Sequence, residues 1–350
     1  MDSMLCALIM AGGKGTRFWP ASTEEKPKQF LALSSLNTMI QETVNRILPL
    51  IPIEHIFICT SSKYKNICME QLPQLPEENI IEEPEGRNTA PCIMLSTLYI
   101  SRIHKNTNII VLPSDHSIKN NEDFVSTLKL GDDFINSHEK GIITIGIQPT
   151  RPDTNYGYIE FDREKDDKSL VFKVKKFVEK PDLEKAQLFF HSNNFLWNAG
   201  MFLFNSLYML NQYSLYAKKI YANLIELPYC SDINYQAILK EKYSQCDSIS
   251  VDYAIMEKCS DIYVIPSAFD WDDVGSWKAL ERYLSGDDRN NISNVPCHFK
   301  DCSNNIVFSE DKEVYILNSS NIFVINAGGR IIVGNKSDID SVYKLRDEVR

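Results

Sequence analysis

The sequence has no block of basic residues and no apolar run long enough to cross a bilayer. Its 37 basic and 47 acidic side chains give a net charge of -10. Because nucleic-acid binding depends on clustered cations that neutralise phosphates, we expect no nucleic-acid partner, and we expect no membrane association. The apolar start at residues 5–11 follows Asp2 without a positively charged segment, so no secretory leader is predicted.

Cysteine pairs at metal-binding or redox spacing are also missing. The chain has nine scattered cysteines, an odd number, and no Cys-x-x-Cys pair. The closest pair, Cys297 and Cys302, has no partners at zinc-site spacing. We therefore predict free core thiols in a reducing compartment, the cytoplasm, rather than disulfides or a metal centre.

Two common phosphate-binding motifs are absent as well. At residues 13–18 (GKGTRF) a phenylalanine occupies the place where the dinucleotide fingerprint has its third glycine. At residues 329–337, Asn335 separates Gly334 from Lys336 and breaks the Walker pattern. We interpret this second stretch as a β-turn.

What the sequence does have is a glycine-rich turn after its first apolar segment, at residues 8–17 (LIMAGGKGTR), and a cationic segment at residues 26–30 (KPKQF). Glycines let backbone N–H groups approach a ligand closely, because no Cβ intervenes. Arg17 and Lys28 can neutralise phosphate oxygens beside such a cradle, whereas Lys14 and Lys26 are expected to be solvated. The pattern predicts a nucleotide-phosphate site at the start of an α/β domain.

Strand-like and helix-like segments alternate through the first half of the chain. Strands are predicted at residues 5–10, 55–59, 108–112 and 141–146, and helices at residues 91–103 and 122–136. This alternation favours a doubly wound sheet with parallel strands. Ligands bind beyond the carboxyl ends of such strands, so we expect the glycine turn and Asp115 to meet at one edge.

The second half is less regular. We predict antiparallel strands at 159–162 and 171–177 around a charged turn at 163–168, a helix at 183–190, a strand at 201–204 and a helix at 207–224. Beyond a linker at 286–291, short β segments at 305–308, 314–317, 322–326 and 330–333 precede a helix at 338–349. Their even spacing predicts a small β-helix or meander, and hence two domains, residues 1–285 and 286–350.

Several blocks together resemble the sugar-phosphate nucleotidyltransferases. Besides the glycine turn they are, in family order, residues 83–91 (EPEGRNTAP), 112–116 (LPSDH), 155–159 (NYGYI), 178–181 (VEKP), 197–202 (WNAGMF), 251–253 (VDY) and 271–277 (WDDVGSW). Residues 18–20 (FWP) and 27–30 (PKQF) add a resemblance to the mannose-1-phosphate guanylyltransferase branch. The resemblance covers nearly the whole chain. It implies a Rossmann-like doubly wound mixed sheet with a small C-terminal β-helix-like domain.

The resemblance also implies a reaction, the transfer of GMP from GTP to α-D-mannose 1-phosphate with release of pyrophosphate. Because the attacking phosphate oxygen is already an anion, neither a general base nor a covalent intermediate is expected. Mg²⁺ is the expected cofactor, since it prefers carboxylate oxygens and substrate phosphates. Its ligands are predicted to be Asp115 and Asp273, with Asp272 as the competing neighbour. A capping role in a helix or turn is the alternative for either aspartate.

The resemblance assigns roles to further residues. Arg17 and Lys28 are expected to hold the triphosphate and to act in catalysis with the two aspartates. The predicted nucleotide-binding residues are Gly12, Gly13, Gly15, Thr16, Arg87, Asn88, Thr89 and Ser114. The predicted sugar-phosphate-binding residues are Gly157, Glu179, Lys180, Asn198 and Gly200. Alternatives remain: Asn88 or Thr89 as a helix cap, and Glu179 and Lys180 as an exposed strand end.

Other functions stay open at this point. One is a nucleotidyltransferase for another hexose 1-phosphate or nucleotide, and another is a non-catalytic nucleotide-sugar sensor. Some family members carry a fused isomerase domain; because this chain stops at Arg350, no isomerase activity is expected. The family commonly forms homodimers, so a homodimer is one option for this chain.

Overall fold

The computed structural model describes residues 3–13, 15–33, 35–138, 140–162 and 170–348. Three sequence predictions fall wholly or partly outside these residues: the solvation of Lys14, the charged turn at 163–168, and the end of the helix predicted over 338–349.

The strands follow one another along the chain as β1 (Leu5–Met10), β2 (Ile56–Ser61), β3 (Ile80–Glu83), β4 (Asn108–Pro113), β5 (Ser117–Ile118), β6 (Ile142–Ile147), β7 (Tyr158–Phe161), β8 (Phe172–Val178), β9 (Phe195–Asn205), β10 (Ile262–Ser267), β11 (Trp271–Asp272), β12 (Ile292–Ser293), β13 (Cys297–Lys300), β14 (Ile306–Ser309), β15 (Val314–Leu317), β16 (Ile322–Ala327) and β17 (Arg330–Asn335). Nine of them form the central sheet, in the order β3-β2-β1-β4-β9-β6-β10-β8-β7. A two-stranded ribbon, β5 with β11, lies beside it.

The doubly wound arrangement predicted for the first half is confirmed. β1 pairs in parallel with β2 on one side and with β4 on the other, and β2 pairs in parallel with β3. The chain moves outward from β1 to β3 and then crosses back to β4, so its direction reverses between β1 and β4. Ligand sites form at such a switch point. Because β9 runs antiparallel between β4 and β6, the sheet as a whole is mixed.

β1 is apolar on both faces because both faces are covered. Ala7 and Ile9 belong to the hydrophobic cluster on one side of the sheet, and Cys6 and Leu8 belong to the cluster on the other side. All four side chains are completely buried. A continuous apolar run is typical of a parallel strand between two helical layers.

The helices are α1 (Met39–Ile47), α2 (Lys65–Gln71), α3 (Thr89–Ile103), α4 (Asn121–Ser137), α5 (Leu183–His191), α6 (Ser206–Tyr216), α7 (Lys218–Leu224), α8 (Tyr235–Ser244), α9 (Leu280–Tyr283) and α10 (Val342–Glu348). Side chains cap the start of some of these helices: Thr38 and Gln41 form a capping box on α1, and Asn120 caps α4. A π-helical turn covers Asp252–Met256. No helix within the described ranges is both long and apolar enough to cross a bilayer.

Several elements differ from the sequence predictions. The single helix predicted over residues 207–224 is wrong, because the chain breaks at Ala217 between α6 and α7. The strand predicted at 201–204 is much longer, since β9 starts at Phe195. Helix α8 and strand β10 were not predicted. The predicted helix at 338–349 is a 3₁₀ helix, Lys336–Ser341, followed by α10.

The C-terminal segment is built from parallel strand pairs stacked along the chain. β14 pairs with β12 on one side and β16 on the other, and β13 pairs in parallel with β15. β17 then folds back antiparallel on β16 through a two-residue turn, Gly328-Gly329, in which both glycines have positive φ. The β-turn predicted at 329–337 is therefore wrong beyond this turn, because residues 330–335 are strand.

This segment packs against the N-terminal loop rather than standing apart. Phe308 packs on Trp277 with ring centroids 4.8 Å apart, and Trp277 packs on Phe18 at 5.0 Å. These residues form one buried cluster with the inner faces of β14 and β16. The C-terminal strands therefore support the loop that follows the glycine turn.

Candidate active site

A cavity of about 490 Å³ opens at the carboxyl ends of β1, β3 and β4, at the switch point of the sheet. Among its lining residues are these predicted site residues: Gly12, Gly13, Arg87, Asn88, Thr89, Gly157, Glu179, Lys180, Asn198, Gly200 and Asp273. The other predicted site residues, Arg17, Lys28, Asp115, Gly15, Thr16 and Ser114, do not line the cavity itself. The sequence blocks therefore converge on one place, as expected.

The glycine-rich loop is held in place by a buried amide. The Gln29 side-chain N–H groups donate to the backbone oxygens of Ala11, at 2.8 Å, and Gly13, at 3.1 Å. Gly15 has φ +53°, and a Cβ there would lie 2.5 Å from the Cβ of Lys28. Only glycine fits this contact, so the glycine turn and the segment around Lys28 form one unit.

Lys28 joins the two predicted metal ligands. Its ammonium group donates to Asp115 Oδ2 at 2.9 Å, to the Asp115 backbone oxygen at 2.9 Å and to the Asp273 backbone oxygen at 2.6 Å. These bonds use all three donors of the ammonium. Lys28 is only 5% exposed, so in this arrangement it contacts the acidic pair rather than the open cavity.

The Asp273 carboxylate lies between the cavity and the loop that carries Arg17. Its Oδ1 accepts a hydrogen bond from the Tyr156 hydroxyl at 2.8 Å. A Cβ on Gly275 would lie 3.1 Å from Asp273 Oδ2 and 3.4 Å from Arg17 Nη1, so both side chains lie against Gly275. Arg17 itself is exposed, so its guanidinium is accessible to a ligand at this end.

The electrostatics favour a charged carboxylate and a neutral imidazole at this end. Burial acts to raise the pKa of Asp115, but the Lys28 ammonium, together with His116 and a backbone hydrogen bond, lowers the pKa below its usual value. Loss of solvent lowers the pKa of His116 to about 4, against the attraction of the Asp115 carboxylate. His116 Nδ1 accepts the Trp271 indole N–H at 3.0 Å, so the ring is held as a hydrogen-bond acceptor within the structure.

The loop that carries the predicted nucleotide-binding residues Arg87, Asn88 and Thr89 is also a capped helix start. Asn88, at φ +67°, accepts the Thr89 N–H with its side chain and caps α3. Thr89 Oγ1 accepts the Val251 N–H at 2.9 Å. The Arg87 guanidinium is held by Glu85 and by the Cys246 backbone oxygen. The capping alternative is therefore confirmed, and it leaves this loop on the cavity wall.

Glu83 is a cavity residue that the sequence did not single out. It ends β3, is 5% exposed, and its carboxyl accepts a hydrogen bond from the Tyr243 hydroxyl. A Cβ on Gly12 would lie 3.0 Å from Glu83 Oε2, so the glycine loop passes directly over this carboxyl group. Burial raises the pKa of Glu83 to about 7, although the Tyr243 hydroxyl opposes the shift.

Two thiols adjoin Glu83. The sulfurs of Cys59 and Cys92 and a Glu83 oxygen all lie within 4.8 Å of one another. Contact with Cys59 and burial hold the pKa of the Cys92 thiol well above its usual value.

The predicted sugar-binding residues lie together on the wall of the cavity. The Asn198 N–H donates to the Gly157 oxygen at 2.8 Å, and the Asn198 side chain donates to Asp252 Oδ1 at 2.7 Å. A Cβ on Gly157 would lie 2.8 Å from Glu179 Oε2. The Lys180 ammonium lies 3.2 Å from Glu179 and is largely exposed.

Two further residues that line the cavity were not predicted as site residues. Asp252 and Tyr156 lie inside quoted sequence blocks, and both line the cavity. Burial raises the pKa of Asp252 above its usual value. The only signal in the sequence was their place within the blocks VDY and NYGYI, and nothing in either block indicates which side chain faces inward.

The donor set at Asp115 and Asp273 fits a hard divalent cation. Both candidate ligand groups are carboxylates, the Lys28 ammonium binds the Asp115 carboxylate and the Asp273 backbone oxygen, and Asp273 faces the cavity. Oxygen donors with room for phosphate oxygens suit Mg²⁺ better than softer metals. The two residues can therefore hold such an ion together with a substrate phosphate.

Comparison with known proteins gives the same family for this arrangement. The family model described as nucleotidyl transferase matches residues 6–289. A mannose-1-phosphate guanylyltransferase of Escherichia coli is 34% identical over 99% of this chain and 75% of its own length. One from Klebsiella pneumoniae is 34% identical over 97% of this chain and 73% of its own length.

Solved structures agree with the sequence relatives. A crystal structure from Thermus thermophilus, described as a mannose-1-phosphate geranyltransferase, is 28% identical and has a TM-score of 0.88. The match covers 100% of this chain and 99% of that chain. The chain belongs to the nucleotidyl transferase family, in the branch whose curated members are named mannose-1-phosphate guanylyltransferase.

Proposed function

We propose that this protein transfers GMP from GTP to α-D-mannose 1-phosphate, giving GDP-mannose and pyrophosphate. The observation that carries the proposal is the junction at Lys28. One ammonium joins Asp115 and Asp273 directly behind the glycine loop. This arrangement suits an in-line displacement at a nucleotide α-phosphorus, because such a reaction needs charged groups held in fixed positions around the phosphates.

We propose Mg²⁺ as the ion that Asp115 and Asp273 hold. When bound, Mg²⁺ neutralises phosphate charge and orients the α-phosphoryl group. Arg17 is an exposed cation at this end, and it is suited to the departing pyrophosphate. Lys28 offsets the charge of the acidic pair. The residues that keep the loop backbone close to the phosphates are Gly12, Gly13, Gly15, Thr16 and Ser114.

The part of the cavity lined by Glu83, Arg87 and Thr89, where we propose that the base binds, favours guanine over adenine. Guanine presents two neighbouring donor groups, N1–H and the N2 amino group, whereas adenine presents an acceptor at N1. When ionised, the Glu83 carboxylate can accept from both guanine donors, and Glu83 lines the cavity together with Thr89 and Arg87. Asn88 keeps that loop in its cavity-facing conformation.

At the sugar end, Glu179 is placed to accept hydrogen bonds from sugar hydroxyls, and Lys180 is placed to pair with the sugar phosphate. The backbone at Gly157 and Gly200 and the side chain of Asn198 complete the pocket. The phosphate oxygen of the sugar then attacks the α-phosphorus directly. No protein nucleophile and no general base take part.

Pyrophosphate release by the purified protein tests this proposal. We expect GTP with mannose 1-phosphate to be the best pair in a panel of nucleoside triphosphates and hexose 1-phosphates. Asp115→Asn and Asp273→Asn should lower kcat by about 10²-fold or more. Asp247→Asn, which removes an exposed carboxylate paired with Lys219, is the control and should be unchanged. A different best pair would contradict the substrate assignment, and full activity in Asp273→Asn would contradict the cation site.

The organisation around this site is also proposed. We infer two domains, residues 1–285 and 286–350, the second being β-helix-like, on the support of the stacked parallel pairs β12–β14–β16 and β13–β15. A homodimer and a cytoplasmic location stay predictions. Light scattering tests the first, and fractionation of cells that produce the protein tests the second.

A further inference from the structure

The turn that carries Asp273 contains a conformation that its sequence disfavours. Val274 has φ +49°, in the left-handed region, and its side chain is completely buried. A β-branched residue in this region clashes with its own backbone, so it persists only where surrounding contacts fix it. Something next to Val274 must therefore hold the turn.

The neighbouring Asp272 supplies that contact. Its Oδ1 accepts the Val274 N–H at 2.8 Å. The Arg282 guanidinium, on α9, then binds the same carboxylate with two groups, Nη2 to Oδ1 at 2.8 Å and Nε to Oδ2. The planar fork of arginine fixes a carboxylate in orientation as well as in position.

Asp273 is thereby fixed from both sides. Its backbone oxygen is bound to Lys28, and the residue that follows it is bound to Asp272. Asp272 was the competing candidate for the metal ligand in the sequence. In the structure both of its oxygens are occupied by Arg282, and neither Asp272 nor Arg282 lines the cavity described above.

We propose that Asp272 and Arg282 are positioning residues whose ion pair holds the strained turn so that the Asp273 carboxylate meets a divalent cation and the triphosphate. This rests on the proposed function in that Asp273 is taken as a cation ligand. The ion pair touches neither substrate, so its effect passes entirely through the geometry of Asp273.

Arg282→Gln tests the proposal with Mn²⁺ as the probe. Mn²⁺ binding, alone and with GTP, is measured by electron paramagnetic resonance, independently of turnover. We expect Arg282→Gln to weaken Mn²⁺ binding by about 10–100-fold, the usual effect of removing a group that orients a metal ligand. The value of kcat should fall by a similar factor, while KM for mannose 1-phosphate changes little. Asp272→Asn, which keeps an acceptor for the Val274 N–H, should be intermediate.

Glu281→Gln is the matched control. Glu281 is the adjacent residue on the same helix, and it pairs with Lys336 at 2.8 Å rather than with the turn. It should keep wild-type Mn²⁺ affinity and kcat. The proposal is overturned if folded Arg282→Gln binds Mn²⁺ like the wild type, or if Glu281→Gln loses as much affinity.

Two further outcomes, a variant that does not fold and a failure of the proposed function, must be distinguished from failure of this proposal. Should Arg282→Gln fail to fold, Arg282→Lys replaces it, because lysine keeps the charge without the two-pronged contact. Unchanged Mn²⁺ affinity in Arg282→Lys also overturns the proposal. Failure of the proposed function has a different signature, in which the wild type binds Mn²⁺ but releases no pyrophosphate from GTP and mannose 1-phosphate.

Discussion

A single buried lysine shows what a residue type in a motif can and cannot indicate. Lys28 was identified as a functional cation from its place in the segment KPKQF, and it does lie at the site. Its partners could not be predicted, because they lie 87 and 245 residues away along the chain. Burial of an ammonium is tolerated only when its donors are bonded. The surroundings of Lys28 therefore depend on the folded sheet, not on the local sequence.

Glu83 gives a prediction for stability against pH. Its folded-state pKa of about 7 lies above the ordinary value of 4.5, so between these values the folded state binds more protons than the unfolded state. The free energy of unfolding should therefore fall as pH rises from about 4.5 to about 7 and then level off. The full loss is on the order of 3 kcal/mol, at about 1.4 kcal/mol per pKa unit. Glu83→Gln, which cannot ionise, should lack this slope.

Urea unfolding at pH 5.5 and pH 8 measures the difference. Relative to the wild type, Glu83→Gln should gain stability as pH rises. Glu70→Gln, at an exposed position on α2, serves as the control and should run parallel to the wild type. If the free energy of unfolding of Glu83→Gln changed with pH as that of the wild type does, this carboxyl would not titrate in that range.

At the scale of elements, the alternation of strand-like and helix-like segments was the sequence feature that predicted the structure best. Strands β1, β2 and β4 and helices α3 and α4 lie within a few residues of their predicted limits, because both faces of the sheet need apolar partners. Strand β3 of the same parallel half was not predicted. The break at Ala217 was not predictable, since the apolar pattern continues across it. β9 was underestimated because Asn198 and Gly200, both used in the pocket, interrupt its apolar run.

The turn between β16 and β17 gives a prediction about how the C-terminal segment supports the site. Gly328, at φ +55°, lies so close to the N-terminal loop that a Cβ would be 2.7 Å from the Pro20 oxygen. Gly328→Ala should push the turn away from this loop and disturb the nearby Arg17. We expect a loss of about 1–3 kcal/mol of stability and a lower kcat. Thermal unfolding and pyrophosphate release measure the two effects.

Gly329→Ala distinguishes the conformational cost of a side chain at positive φ from the loss of the contact between the turn and Pro20. Gly329 has φ +69°, yet a Cβ there has no neighbour within 4 Å. This variant should lose some stability for the same conformational reason while keeping its kcat. If both variants had the same kcat, the contact between the turn and Pro20 would not influence the site.

On the scale of the whole molecule, the phosphate end is assembled from three distant parts of the chain. The glycine loop and Lys28 come from the start, Asp115 from the end of β4, and Asp273 from the turn after β11. The C-terminal strands pack beneath the first and third of these through Trp277. The family blocks predicted this convergence, whereas residue spacing alone could not, because it depends on the order of strands in the sheet.

Such an assembly predicts strong coupling between ligand binding and global stability. A ligand that binds only the folded state at 100 times its Kd stabilises the protein by about 2.7 kcal/mol. GTP with Mg²⁺ should therefore raise the free energy of unfolding by about this amount, and EDTA should remove most of the gain.

In Asp273→Asn the gain should shrink to that of GTP with EDTA, since the carboxylate that joins cation and turn is gone. Urea titrations with and without each ligand measure this, and Asp247→Asn should match the wild type. An undiminished Mg²⁺-dependent gain in Asp273→Asn would mean that the cation binds elsewhere, because the variant lacks the carboxylate that is proposed to hold it.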